Sequence, residues 1–138
     1  MTKITGEYEG SLKCTMEHEP SGAVIYTDAP ADIGGGAESF SPTDLVGAAL
    51  GGCIATTLGM YGKRKGWDFK GMRFSVVKEM MQGPERRIGA LRVEVWMPVD
   101  LSHEDRVACE RVALSCPVHK SLHPGIEADV KFFWPSSG

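Results

Sequence analysis

The sequence predicts an α+β fold. Three observations carry that prediction. Segments near both ends alternate apolar and polar residues with a period of two; one long stretch after Ser41 has the start signals and length of a helix; and short turn sequences, not helices, join several of the strands. Read in order, the elements are β-β-α-β-β-α-β. All 138 residues, 1–138, fit one domain with enough length for an independent core.

The first strand signal is long. Ile4, Gly6, Tyr8, Gly10, Leu12, Cys14 and Met16 alternate with Thr5, Glu7, Glu9, Ser11, Lys13, Thr15 and Glu17. Read as one strand, it turns Cys14 inward with Tyr8, Leu12 and Met16, and Lys13 outward. Glu19-Pro20-Ser21-Gly22 is turn chemistry, and Ala23 to Thr27 reads as the returning strand. Asp28 to Ser39, rich in Ala, Pro, Asp and Gly, reads as a loop.

Ser41-Pro42-Thr43-Asp44 opens a helix. Ser41 is the N-cap, Pro42 occupies the first helical position where a missing N–H costs nothing, and Asp44 complements the helix dipole. The helix should run to about Lys65, with Gly66 as its terminating glycine. Leu45 to Leu58 contains no charged residue, which predicts burial on every side. Gly47, Gly51, Gly52 and Ala55 would let another helix or a partner chain approach closely.

Sheet follows. Met72 to Met81 reads as a strand, Gln82 to Glu85 as a turn, and Leu91, Val93, Val95 and Met97 as the inward positions of the next strand. Ser102 caps a second helix over about His103 to Ser115, and a short helical turn follows Cys116-Pro117. Ile126, Ala128, Val130 and Phe132 mark a last strand.

Composition narrows the function. A net charge of −3 with no basic block argues against nucleic acid or an anionic membrane as the main partner. Leu45 to Tyr61, the longest apolar stretch, is broken by four glycines and falls short of a bilayer span. The N-terminus has no secretory h-region, so a cytoplasmic location is expected. That compartment keeps thiols reduced, and the four cysteines are therefore not read as a disulfide framework. Cysteine and histidine spacings match no common zinc motif, so neither metal nor cofactor is expected.

The cysteines differ in their settings. Cys53 lies in mid-helix, where it is either a small core residue or a functional thiol. Cys116 precedes the helix-starting Pro117, and unpaired N–H groups there would favour a thiolate, with His119 and Lys120 nearby. Alternatively Ser115-Cys116-Pro117 is merely a helix stop. Cys109 reads as core packing, and Cys14 as either core or pocket lining.

Two segments go beyond generic pattern. Ser41-Pro42-Thr43-Asp44-Leu45 through Leu50-Gly51-Gly52-Cys53, and Cys116-Pro117-Val118-His119-Lys120-Ser121-Leu122, together resemble the two cysteine motifs of OsmC-like proteins. The resemblance implies an intertwined homodimer, with antiparallel sheets around two central helices and active sites at the subunit interface. It implies hydroperoxide reduction in which Cys53 attacks the peroxide and Cys116 resolves the sulfenic acid, with a dithiol restoring both. Peroxidase members carry a Glu just after the helix-opening proline, where this chain has Thr43 followed by Asp44. They carry an Arg on the first strand, where the nearest match is Cys14. The resemblance thus implies a pocket lined by Cys14, Thr43, Asp44 and His119, and a place in a divergent branch. The rival expectation is a non-enzymatic dimer that binds an apolar small molecule or senses redox state.

Overall fold

The computed structural model describes residues Met1–Pro135. The chain forms two compact units, one from Met1 to Val46 and the other from Gly47 onward.

In the first unit, β1 (Ile4–Gly10), β2 (Lys13–His18) and β3 (Ala23–Asp28) form an antiparallel sheet in sequence order. The stretch expected as one strand is therefore a hairpin. Gly10, Ser11 and Leu12 turn the chain with φ of 87°, 53° and 63°. Opposite pairs are Ile4 with His18, Gly6 with Met16 and Tyr8 with Cys14, and a bulge falls between Tyr8 and Gly10. Even-numbered residues thus share one face on both sides of the turn, so the period of two passes through it unbroken. That face is largely open: Ile4, Tyr8 and Ile25 are 64%, 62% and 47% exposed. Leu12, expected inward, lies in the turn and is also exposed.

The loop after β3 folds back on Asp28. This buried carboxylate accepts the backbone N–H groups of Gly36 (3.3 Å) and Glu38 (3.1 Å), which hold its pKa below the ordinary carboxylate value. Lys13 Nζ pairs with Glu38 at 2.9 Å. Gly35 is obligatory, because a Cβ there would fall 1.8 Å from the Ala29 carbonyl oxygen.

Helix α1 (Pro42–Lys65) begins and ends as its sequence predicts. Ser41 Oγ accepts the Asp44 N–H at 3.1 Å, and the Asp44 carboxylate accepts the Ser41 N–H at 2.9 Å, a reciprocal capping box. At the other end Gly66 takes φ 82°, Trp67 N–H donates to Gly62 O at 2.8 Å, and Gly66 N–H donates to Lys63 O at 3.4 Å. That pair of bonds is a Schellman terminus. With 24 residues, α1 is long and apolar enough to cross a bilayer, contrary to the sequence expectation. Its residues Leu50, Ile54 and Leu58 instead lie in the protein core.

The second unit packs α1 on a sheet of β4 (Arg73–Met80), β5 (Ile88–Trp96) and β6 (Glu127–Phe133). β4 and β5 pair antiparallel, but β5 and β6 pair parallel, which corrects the all-antiparallel expectation. A parallel pair needs a crossover, supplied here by α2 (His103–Ala113) and α3 (Pro117–Ser121). Ser102 Oγ caps α2 through Asp105 N–H at 3.2 Å, as expected, although α2 stops at Ala113 rather than Ser115.

Leu50, Ile54, Leu58, Leu91, Val93 and Val95 are fully or almost fully buried, each contributing about 1.5–3 kcal/mol of hydrophobic stabilisation. Gly47 lies against Val76 and Leu91, and Gly51 against Phe74 and Val76. The expectation that α1 is buried all round is not met. Ala48, Ala49, Thr56, Gly59 and Met60 are exposed on the described chain.

Candidate thiol site

All four cysteines are free thiols. Cys53 is half-buried on α1, immediately before the buried Ile54. Cys116 is fully buried where α2 gives way to α3. It is the N-cap of α3, with Pro117 next, and its Sγ accepts the His119 N–H at 3.3 Å. Cys53 is among the groups that act on the ionisation of the Cys116 thiol. The two are not joined in a disulfide.

The N-cap geometry at Cys116 agrees with the sequence, but the ionisation expected from it does not. Burial pushes the Cys116 pKa up, and this outweighs the backbone N–H of His119, which pulls it down. The hydrogen bond to Cys53, and the charge of Cys53 when ionised, push it further up, while Val118 N–H opposes them weakly. Burial and the Val118 N–H were not foreseen. The only local signal for the latter was Pro117 at the first helical position, which leaves the following N–H groups without helical partners.

The remaining predicted residues have other settings. His119 acts on Cys116 through its backbone, and its side chain is half-buried. Cys14 lies on β2 in the first unit, opposite Tyr8 and Thr27, and is half-buried. Thr43 Oγ1 is 3.2 Å from Ser41 Oγ, and Asp44 completes the capping box. Cys109 is fully buried, and burial raises its pKa to about 11. Among the described residues, no three His, Cys, Asp or Glu side chains gather as metal ligands would.

The family model described as OsmC-like protein matches residues 34–131. The chain belongs to the OsmC-like family. A candidate osmotic stress induced and detoxification response protein from Psychrobacter arcticus 273-4 is 34% identical over 96% of both chains, with a TM-score of 0.91. The same fold recurs in an organic hydroperoxide resistance protein OsmC from Legionella pneumophila, with 13% identity, 96% of both chains covered and a TM-score of 0.77. It recurs again in the organic hydroperoxide resistance protein OhrB of Bacillus subtilis, with 16% identity, 96% of this chain and 98% of that one covered, and a TM-score of 0.72. Comparison with curated proteins found no match. The α+β fold of this OsmC-like protein is therefore that of its family, with an N-terminal hairpin where one strand was expected.

Proposed function

We propose that this OsmC-like protein is a thiol-dependent reductase of organic hydroperoxides that uses Cys53 and Cys116. The observation that carries the reading is that Cys53 is partly exposed on α1 while Cys116, the N-cap of α3, is fully buried. The hydroperoxide resistance proteins of Legionella and Bacillus share the fold and suggest the substrate class. In the first step the Cys53 thiolate attacks the outer peroxide oxygen; the O–O bond breaks, Cys53 becomes a sulfenic acid, and the alkoxide takes a proton to leave as an alcohol. In the second, Cys116 attacks the sulfenic sulfur, forming a disulfide and releasing water. An external dithiol then reduces the disulfide and is itself oxidised. No metal or cofactor takes part.

The protein acts as a cytoplasmic homodimer in this proposal. The exposed apolar residues Ile4, Tyr8 and Ile25 on one sheet face support a second copy. So does the exposed small-residue side of α1, where a Cβ on Gly52 or Gly59 would meet nothing within 4 Å. Sedimentation should give twice the chain mass at micromolar concentration, and Gly52→Leu should weaken association. A folded monomer at that concentration would refute the dimer.

Activity is tested by organic hydroperoxide consumption with a dithiol. Wild type should turn over, Cys53→Ser should be inactive, and Cys116→Ser should stop after one equivalent. No consumption of any hydroperoxide would refute the reductase. One observation favours a second reading, a ligand-binding or redox-sensing protein: the main influences on Cys116 are burial, two backbone N–H groups and Cys53, with no cation among them. Under that reading oxidation is stoichiometric and never catalytic.

A further inference from the structure

A groove of about 600 Å³ opens beside the C-terminal half of α1. Ala55, Gly59 and Lys63 form one wall; spaced four apart, they share one side of the helix, and Lys63 stands two turns, about 12 Å, beyond Ala55. The chain after the helix, from Gly66 to Met72, forms the other wall. Ala55 follows Cys53 by two residues, which on a 3.6-residue turn is nearly the opposite side of α1. The groove is therefore separate from the candidate thiol site. Its outer wall is held in place by Trp67 N–H to Gly62 O (2.8 Å), Met72 N–H to Phe69 O (3.0 Å) and Lys70 N–H to Asp68 Oδ1 (2.9 Å). Phe69 is buried, and its ring is so close to α1 that a Cβ on Gly62 would fall 2.8 Å from its Cδ2. Trp67 packs on Phe69 with centroids 6.0 Å apart. The helix wall is bare, since a Cβ on Gly59 would meet nothing within 4 Å. The space is preformed, and Ala55, Trp67, Phe69 and Met72 make it mostly apolar. Its charge is one-sided. Lys63 and Lys70 line it with Asp68 as the single carboxylate, and among the described residues neither lysine forms an ion pair.

We propose that this groove binds an amphiphilic monocarboxylate, with its apolar body against Ala55, Gly59, Trp67 and Phe69 and its carboxylate on Lys63 and Lys70. Two cations without partners on an apolar cleft complement one anionic head and one apolar tail. The chain's net charge of −3 disfavours a polyanion, so the fit is to a small single anion. An extended decanoate is about as long as the wall from Ala55 to Lys63. The inference is independent of the thiol chemistry proposed above.

The test titrates ω-bromodecanoate into the full-length protein at low salt, below its micellar concentration, with no peroxide present. Bromine quenches the emission of a tryptophan that it nearly touches, and heat of binding is measured in parallel by calorimetry. Wild type should show saturable binding with quenching. Trp67→Phe should still bind but lose the quenching, because Trp96 and Trp134 lie outside the groove. Replacing both Lys63 and Lys70 by Gln should weaken binding about tenfold, as should exchanging decanoate for neutral decanol. Replacing both lysines by Arg should keep the affinity, and Lys3→Gln, a cation remote in sequence on the first unit, should change nothing. Added salt should weaken binding in wild type and not in the Gln double variant. The proposal is overturned by no saturable binding, by equal affinity for decanol, by a Gln double variant as tight as wild type, or by quenching that persists in Trp67→Phe. Binding to anionic lipid vesicles without binding to free decanoate also overturns it. Should Trp67→Phe fail to fold, the exposed lysines decide alone.

Discussion

Gly51 lies directly against Phe74: a Cβ built on the glycine would fall 2.6 Å from the ring's Cδ2 and 2.9 Å from Val76 Cγ2. The close approach that the glycines of α1 permit is therefore to β4 at this position. One helical step away, a Cβ on Gly52 meets nothing within 4 Å. The two glycines should respond in opposite directions. Gly51→Ala gains about 1 kcal/mol of helix propensity but overpacks the sheet contact, for a net loss of about 1–2 kcal/mol. Gly52→Ala gains the propensity without the clash and should be stabilised by up to about 1 kcal/mol. Urea midpoints of the two variants check this. Gly51→Ala stabilised as much as Gly52→Ala would mean that the Phe74 ring swings aside at no cost.

The start of α1 offers a second test. Ser41 and Asp44 each accept the other's backbone N–H. Ser41→Ala should cost about 1 kcal/mol, and Asp44→Ala a comparable amount. Because the two bonds form one reciprocal motif, the double variant should lose less than the sum of the singles. Strict additivity in thermal or urea unfolding would show two independent caps.

Both ends of α1 were legible because capping is local chemistry. Ser41-Pro42-x-Asp44 and Gly66 carry their instructions within a few residues. Which side of α1 packs was not legible, since an uncharged stretch rich in glycine, alanine and leucine gives hydropathy no direction; packing chose Leu50, Ile54 and Leu58. Parallel pairing of β5 and β6 was equally hidden, because strand alternation is identical in parallel and antiparallel neighbours. At the candidate site the N-cap position of Cys116 could be read from Pro117, whereas its ionisation could not. Burial by distant parts of the chain reverses what the local N–H groups favour.

The N-terminal hairpin was missed for a definite reason. Ser11-Leu12 has none of the Asn-Gly or Gly-Gly character that usually supplies a two-residue turn. Both residues nevertheless take positive φ, which costs a bulky L-residue roughly 1–2 kcal/mol. Leu12→Asn should recover about 1 kcal/mol, since asparagine tolerates this backbone region. The bonds made by Leu12 N–H to Tyr8 Oη (3.3 Å) and by Ala29 N–H to Leu12 O (3.1 Å) involve its backbone and survive the change. Thermal unfolding provides the measurement, and a destabilised Asn variant would assign Leu12 a packing role that outweighs its strain.

Cys109 supplies a prediction at alkaline pH. Its thiol is fully buried in α2, and burial lifts its pKa from the ordinary value of 9.0 to about 11, with Asp105 and Glu110 adding in the same direction. The folded state therefore holds this proton at pH values where the unfolded chain has released it. Between those two values the folded state binds more protons than the unfolded one, so stability declines as pH rises. The decline begins near pH 9 and is complete above about pH 11, with a slope approaching about 1.4 kcal/mol per pH unit for one group. Cys109→Val removes the titration and keeps an apolar side chain of similar size. Its unfolding free energy should be within about 1.5 kcal/mol of wild type at pH 7 and should fall less steeply from pH 9 to 11. Parallel pH profiles for the two proteins would show that Cys109 does not control the alkaline limb.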